Sequence, residues 1–203
     1  MRRMIFILFV VVASGAILVA RAKPRAAART QVATFSAGCF FGVEETFRRL
    51  DGVVSTTSGF TGGHVDHPTY KQVSMGGTGH VEAVRVQFDP KRISYAELLD
   101  AFWSCHDPTR PRDVDEPHRS IIFAHDEQQQ MTALASRDEV DASGAFENRK
   151  IATAIIDAGD FFPADEENQQ YLAKQGRSVT CSVGERPVHT RLARAAAESR
   201  SGR

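Results

Sequence analysis

Apolar and polar residues alternate in a way that predicts interleaved strands and helices between residues 31 and 184. The clearest strand is Val81–Phe88, which ends at Asp89-Pro90. β-Branched and apolar runs predict further strands at residues 31–37, 53–60, 119–124 and 151–157. Apolar residues at helical spacing predict helices at residues 39–50, 94–105, 126–140 and 165–175.

Two loops separate these elements. Residues 61–79 are rich in Gly and His, with one helical turn expected near residues 68–73, and residues 106–117 contain three prolines that prevent regular pairing. Ser94 followed by Glu97 is a capping-box pattern that marks a helix start. The order of elements contains no repeat and favours an α/β (α+β) two-layer sandwich, with a mixed sheet covered by helices.

The first 22 residues form a separate segment. Two arginines precede an apolar run from Met4 to Ala20, and Ala20-Arg21-Ala22 offers small residues for a signal peptidase. We expect a signal peptide, with a short membrane anchor as the alternative, since 17 residues are at the low end of a membrane span. The remainder would then be exported, periplasmic or anchored facing outside the cytoplasm. Residues 23–30 would be a linker.

Charge divides the chain further. Residues 30–184 carry 14 Lys and Arg against 23 Asp and Glu, a formal net charge of −9. This excess of acid argues against nucleic acid as a partner, because phosphate binding needs a surplus of bases. Residues 185–203 carry five Arg against two Glu and show no convincing core face, so we expect a basic, disordered tail.

Cys39 is the first candidate for chemistry. It stands between Gly38 and the start of a predicted helix, where backbone N–H groups and the helix dipole favour negative charge. A thiol there is expected to ionise readily, and the thiolate is the nucleophile. Phe40 and Phe41 place an apolar surface beside it, which suits a substrate with an uncharged soft atom.

The surrounding residues resemble a known family. Gly38-Cys39-Phe40-Phe41-Gly42-Val43-Glu44 is similar to the GCFWG signature of the peptide methionine sulfoxide reductase A family. Four further matches follow in the family's order over about residues 31–182: GFTGG at residues 59–63, PTY at 68–70, GTGHVEAV at 77–84, and a group at 93–109 that ends in HDPT.

The resemblance implies a fold, a reaction and site residues. The fold would be a ferredoxin-like mixed sheet, and the substrates would be methionine-S-sulfoxide, free or in oxidised proteins. Cys39 would attack the sulfoxide sulfur while Glu82 acts as the general acid for the departing oxygen. Tyr70 would hydrogen-bond that oxygen, and Asp113 would hold a water or the substrate.

Two residues depart from the family pattern. Phe41 stands where the family has tryptophan, so with Phe40 it would supply a smaller aromatic cage for the substrate's methyl group. His118 stands where the family has a second oxygen-binding tyrosine. Because histidine changes charge near neutral pH, we expect weaker or more pH-dependent substrate binding.

The resemblance also implies how the cysteine is recycled. Cys181, in Ser-Val-Thr-Cys, matches the cysteine that resolves the Cys39 sulfenic acid as a disulfide. Cys105 lies on an apolar helix stripe and is expected to be buried. We expect no bound cofactor, no metal and a monomer. The reductant would be a thioredoxin-like protein or another thiol, such as a membrane thiol relay.

Three alternatives remain at this stage. A metal could bind His64, Asp66, His67, His80 and His106, although these residues lack a recognised zinc spacing. A Cys–His hydrolase could use His80 or His106 to activate Cys39, but it would leave the other motifs unexplained. A catalytically impaired module of the same fold would only bind methionine-containing partners.

Overall fold

The structure of this protein is a computed structural model that describes residues 29–147, 149–177 and 188–202. Within these ranges the chain forms six strands: β1 (Gln31–Ala37), β2 (Val53–Thr61), β3 (Val81–Phe88), β4 (Ser120–Ala124), β5 (Ala154–Asp157) and β6 (Phe161–Pro163). It also forms six α-helices: α1 (Phe40–Arg48), α2 (Tyr70–Ser74), α3 (Tyr95–Ser104), α4 (Glu127–Ser143), α5 (Tyr171–Lys174) and α6 (Arg191–Ser201).

The strands form one mixed sheet in the order β5-β4-β1-β3-β2-β6. β4 and β5 pair in parallel, and every other neighbouring pair is antiparallel. The inner four strands follow the chain order β1-α1-β2-β3-α3-β4, which is the split βαβ arrangement of ferredoxin-like folds. The predicted two-layer α/β sandwich is therefore confirmed.

The core lies between the sheet and the helices α1, α3 and α4. Phe35 of β1 stacks on Phe47 of α1 with ring centroids 4.9 Å apart. Trp103 of α3 is fully buried, and its indole N–H donates to Ser136 Oγ of α4 at 2.8 Å. Because the buried N–H of the indole has a partner, α3 can bring this large ring into the core without an unsatisfied donor.

The capping prediction at Ser94 is confirmed. Ser94 accepts the backbone N–H of Glu97, whose side chain accepts the N–H of Ser94 in return. α4 begins after Asp126, whose carboxylate caps it, and continues beyond its predicted end at residue 140 to Ser143. It ends at Gly144, whose φ of 70° is favourable for glycine.

The predicted disorder of the tail is wrong for its described part. α6 begins after Thr190, whose hydroxyl caps the helix by accepting the N–H of Ala193. The same hydroxyl donates to Asp100 of α3 at 2.9 Å, and Arg200 pairs with Glu97 of the same helix. Buried Val188 and Ala193 add apolar contact. These two are the only buried apolar residues of the described tail, which is why the sequence showed no core face.

Two predictions fall outside the described residues. They are the signal peptide or anchor at residues 1–22, with most of the linker, and the position of Cys181. Across the described ranges, none of the helices combines the length and apolar character needed to span a bilayer.

Candidate active site

Three adjacent strands bring the predicted catalytic residues to one end of the sheet. β1 lies between β4 and β3, and it pairs Ala37 with Ser120 and Phe35 with Val84. The end of β1 therefore faces both the loop before β4 and the start of β3. Cys39, His118 and Glu82 occupy these three positions.

Cys39 follows a turn whose backbone conformation favours glycine. Gly38 has a φ of +95°, a conformation that side chains rarely adopt, and it turns the chain from β1 into α1. Cys39 is then the N-cap of α1 in an extended conformation, and its side chain is exposed. The predicted placement of the cysteine at a helix N-terminus is confirmed.

Glu82 is buried behind this turn, with only 2% of its surface exposed. Its Oε2 accepts the backbone N–H of Phe40 at 2.9 Å, and its Oε1 lies 3.3 Å from His118 Nε2. Its own N–H donates to the carbonyl of Pro117 at 2.8 Å. The carboxyl therefore joins the first turn of α1 to the loop that carries His118.

The Cys39 sulfur, a Glu82 oxygen and a His118 nitrogen all lie within 4.8 Å of one another. A nucleophile beside a carboxyl group is the arrangement needed for attack on one atom and proton transfer to its neighbour.

The aromatic rings near Cys39 are not all accessible, as the prediction required. Phe41 is partly exposed and stacks on Tyr171 with ring centroids 4.3 Å apart. Phe40 is fully buried and lies 4.9 Å from Phe41, measured between ring centroids. This corrects the prediction that Phe40 itself lines the substrate site: a residue that directly follows the N-cap here points into the core. Phe41 and Tyr171 form the accessible wall.

Tyr70 begins α2, and its ring centroid lies 6.0 Å from that of Phe40. It is 37% exposed. Partial burial and the nearby Glu82 carboxylate raise the pKa of Tyr70. Its hydroxyl therefore stays protonated at neutral pH and remains available as a hydrogen-bond donor.

Asp113 is not part of the cluster. It is exposed in the loop before β4, where its backbone carbonyl accepts the N–H of Glu116 at 3.0 Å. Its role stays a prediction, as does that of Cys181, which lies outside the described residues. Cys105 is buried, as expected for a core thiol.

The two histidines that could have activated Cys39, His80 and His106, form hydrogen bonds elsewhere. His80 Nδ1 accepts the N–H of Gly63 at 3.1 Å, and its Nε2 donates to the carbonyl of Val65 at 2.8 Å. His106 bonds the carbonyl of Phe102 and the hydroxyl of Ser120. Burial lowers the pKa of His106 to about 4. Both imidazoles thus hold loops and strand ends together, and neither activates Cys39.

Comparison with known proteins decides the family. A family model described as peptide methionine sulfoxide reductase matches residues 31–200. This chain belongs to that family. The match extends past the predicted domain end at residue 184 and includes most of α6.

Relatives cover the same part of the chain. The peptide methionine sulfoxide reductase MsrA of Methanothermobacter thermautotrophicus is 52% identical over 153 residues, which are 73% of this chain and 90% of that protein. The reduced form of Saccharomyces cerevisiae Mxr1 superposes with a TM-score of 0.70 and 29% identity, covering 80% of this chain and 94% of the other. Mxr1 in complex with Trx2 also matches, with a TM-score of 0.52, 26% identity and coverage of 76% and 91%.

The sequence reasoning missed a role for Glu44, which is 1% exposed on α1. Its Oε2 accepts the N–H of Gln170 at 2.7 Å, and its Oε1 accepts the hydroxyl of Thr56 at 3.2 Å. Gln170 has a φ of 50° and directly precedes Tyr171 in the chain. Glu44 thus positions the residue that stacks on Phe41. The signal was available, because position 44 shares the buried face of α1.

The buried Glu44 carboxyl also predicts how the stability of the folded protein depends on pH. Burial raises the pKa of Glu44 above its ordinary value of 4.5, although hydrogen bonds from Gln170 and Thr56 oppose this. A raised pKa means that the folded state holds the proton more tightly than the unfolded chain does. The stability from this group is therefore present below the unfolded pKa and is lost as pH rises through the folded pKa.

We predict that Glu44→Gln removes this pH dependence. The difference between the two free energies of unfolding, variant minus native, should become more positive from about pH 4 to about pH 7, because only the native protein loses the contribution of Glu44. Urea unfolding at several pH values measures it, with Glu198→Gln on the exposed face of α6 as the matched control. Parallel pH profiles for native protein and Glu44→Gln would show that Glu44 does not titrate differently on folding.

Proposed function

We propose that this chain reduces methionine-S-sulfoxide, free or in oxidised proteins, to methionine at the expense of thiols. The observation that carries the proposal is the cluster of Cys39, Glu82 and His118 within 4.8 Å at the N-terminus of α1. Its family membership and the reductase names of its relatives support the same reaction.

The first step uses Cys39 and Glu82. The Cys39 sulfur attacks the sulfoxide sulfur, and the Glu82 carboxyl donates a proton as the sulfur–oxygen bond breaks. The oxygen is transferred to Cys39, which becomes a sulfenic acid, and the substrate leaves as methionine. In this step the substrate sulfur gains two electrons and the cysteine sulfur loses two.

Substrate binding follows from the rings and donors around the cluster. The methyl group of the substrate would pack on Phe41, which Tyr171 supports from its other side. The sulfoxide oxygen would accept a hydrogen bond from Tyr70 and a second one from His118, which takes the place of the family's tyrosine. Asp113 would contribute through a water or a main-chain group of the substrate.

The sulfenic acid is then reduced. A thiolate of Cys181 attacks the oxidised Cys39 sulfur, a disulfide forms and water leaves. The contact between Tyr171 and Phe41 supports this assignment. Tyr171 lies ten residues before Cys181 in the chain, and Phe41 lies two residues after Cys39. A thioredoxin-like protein would reduce the disulfide, and the yeast relative in complex with Trx2 supports a donor of this class.

The alternative of an impaired binding module has no observation in its favour, because the nucleophile and the acid adjoin each other as the reaction requires. A single-turnover experiment separates the two. Reduced protein is mixed with excess methionine-S-sulfoxide without reductant, the methionine formed is counted, and disulfides are mapped by mass spectrometry.

We predict a single methionine per native chain and a Cys39–Cys181 disulfide. Cys39→Ser should form no methionine, whereas Cys181→Ser should form one and retain a sulfenic acid that dimedone traps. Cys105→Ala, which changes a buried thiol, is the control and should behave like the native chain. Unchanged thiols with no methionine formed would contradict the reductase and favour the binding module.

The cellular location of the protein is a separate part of the proposal. The basic, apolar and small-residue pattern of residues 1–22 supports export, with cleavage preferred over anchoring. The intact mass of the protein recovered from fractionated cells tests this. A chain lacking residues 1–22 supports cleavage, and a complete chain in the membrane fraction supports anchoring. A complete chain in the cytoplasmic fraction would contradict both.

A further inference from the structure

The catalytic cluster contains three different metal-binding donors. The Cys39 thiol, the Glu82 carboxylate and the His118 imidazole offer sulfur, oxygen and nitrogen atoms within 4.8 Å of one another. In the part of the chain that the structure describes, no other three such side chains come this close. Zinc takes these three donor types, and zinc sites with three protein ligands keep a fourth position for solvent.

We propose that Zn²⁺, or a similar borderline divalent cation, binds Cys39, Glu82 and His118 in the reduced protein and inhibits it reversibly. This site is additional to the reductase chemistry, and it would compete with that chemistry for Cys39. The cation is an inhibitor here and takes no part in sulfoxide reduction.

The spacing of the donors suits a small cation. Zinc–ligand distances of about 2.0–2.3 Å in a tetrahedron place the donor atoms about 3.5 Å apart. Because no two of the donor atoms are more than 4.8 Å apart, binding would draw the widest pair together by at most about 1.3 Å. Cys39 is exposed and the side chain of His118 is 38% exposed, so both lie at the surface, where a cation can reach them.

The hydrogen bonds of Glu82 leave one oxygen for the cation. Oε2 is held by the N–H of Phe40, whereas Oε1 faces His118 Nε2 at 3.3 Å. A cation between Oε1 and Nε2 would replace this contact and keep the bond to Phe40. As ligands of a divalent ion, Glu82 and Cys39 would be a carboxylate and a thiolate with two negative charges, so the protons that they carry are released on binding.

His118 is the residue that favours zinc binding at this site. The resemblance places a tyrosine at this position, and a phenol with an ordinary pKa of about 10 stays protonated and is a poor donor to zinc at neutral pH. An imidazole is a common zinc ligand at that pH. Oxidation of Cys39 removes the sulfur ligand, so the cation would bind the reduced enzyme and leave the disulfide form.

Cobalt binding tests the site without catalysis. Co²⁺ bound to a thiolate gives a charge-transfer absorption in the near ultraviolet, so titration of the reduced protein reports both affinity and the sulfur ligand. The titration is made in a Cys181→Ser background, so that Cys181 cannot supply the thiolate. We expect one equivalent of Co²⁺ per chain with this absorption, and Zn²⁺ should displace it.

Two substitutions and a control decide the assignment. Cys39→Ser should abolish the absorption, and His118→Tyr should weaken binding by at least about tenfold, since it replaces a ligand. His64→Ala, which removes an exposed imidazole outside the cluster, should bind like the parent. Circular dichroism checks that each variant is folded.

The inhibition is measured in parallel. Zn²⁺ should inhibit native reductase turnover, a chelator should restore it, and His118→Tyr should require at least about tenfold more Zn²⁺ for the same fractional inhibition. Cobalt binding without a thiolate absorption, or equal affinity in the parent and His118→Tyr, would overturn the proposal. Because the titration uses no substrate, the metal site and the reductase activity can each fail without the other.

Discussion

The hydrogen bond between the Phe40 N–H and the Glu82 carboxylate is the contact on which the site depends. A buried carboxylate is costly unless its oxygens are satisfied, and Glu82 is satisfied by the first turn of α1 and by His118. The sheet brings Phe40 and Glu82 together, because Phe40 follows β1, Glu82 lies on β3, and these two strands are neighbours. One side chain thus fixes the position of the turn that carries Cys39 and places a carboxyl group beside the sulfur.

A second buried carboxylate, Glu44, extends this arrangement along the same helix. Its bonds to Thr56 and Gln170 tie α1 to β2 and to the turn before α5. Tyr171 is thereby set against Phe41, so the proposed wall of the substrate site depends on a contact between distant parts of the chain. α1 therefore carries Cys39 at its N-terminus and, through Glu44, positions the Tyr171 ring that stacks on Phe41.

Strands, capped helices and the catalytic turn could be predicted from sequence because local signals specify them. The alternation of apolar and polar residues predicted β3, and the capping box predicted the start of α3. Gly38 before Cys39 predicted the turn. Features set by distant contacts were missed. β6 is three residues long and exists by pairing with β2, and α6 depends on hydrogen bonds to α3. The burial of Phe40 was missed although it was predictable, because Phe40, Val43 and Phe47 share the helical spacing of the buried face of α1.

The central claim is that the Glu82 carboxyl, held beside Cys39, supplies the proton to the departing oxygen. Single-turnover rates of methionine formation in native protein and Glu82→Gln test it. The account predicts that Glu82→Gln slows the step by about 10²–10⁴-fold. A native rate in folded Glu82→Gln would contradict the role of Glu82.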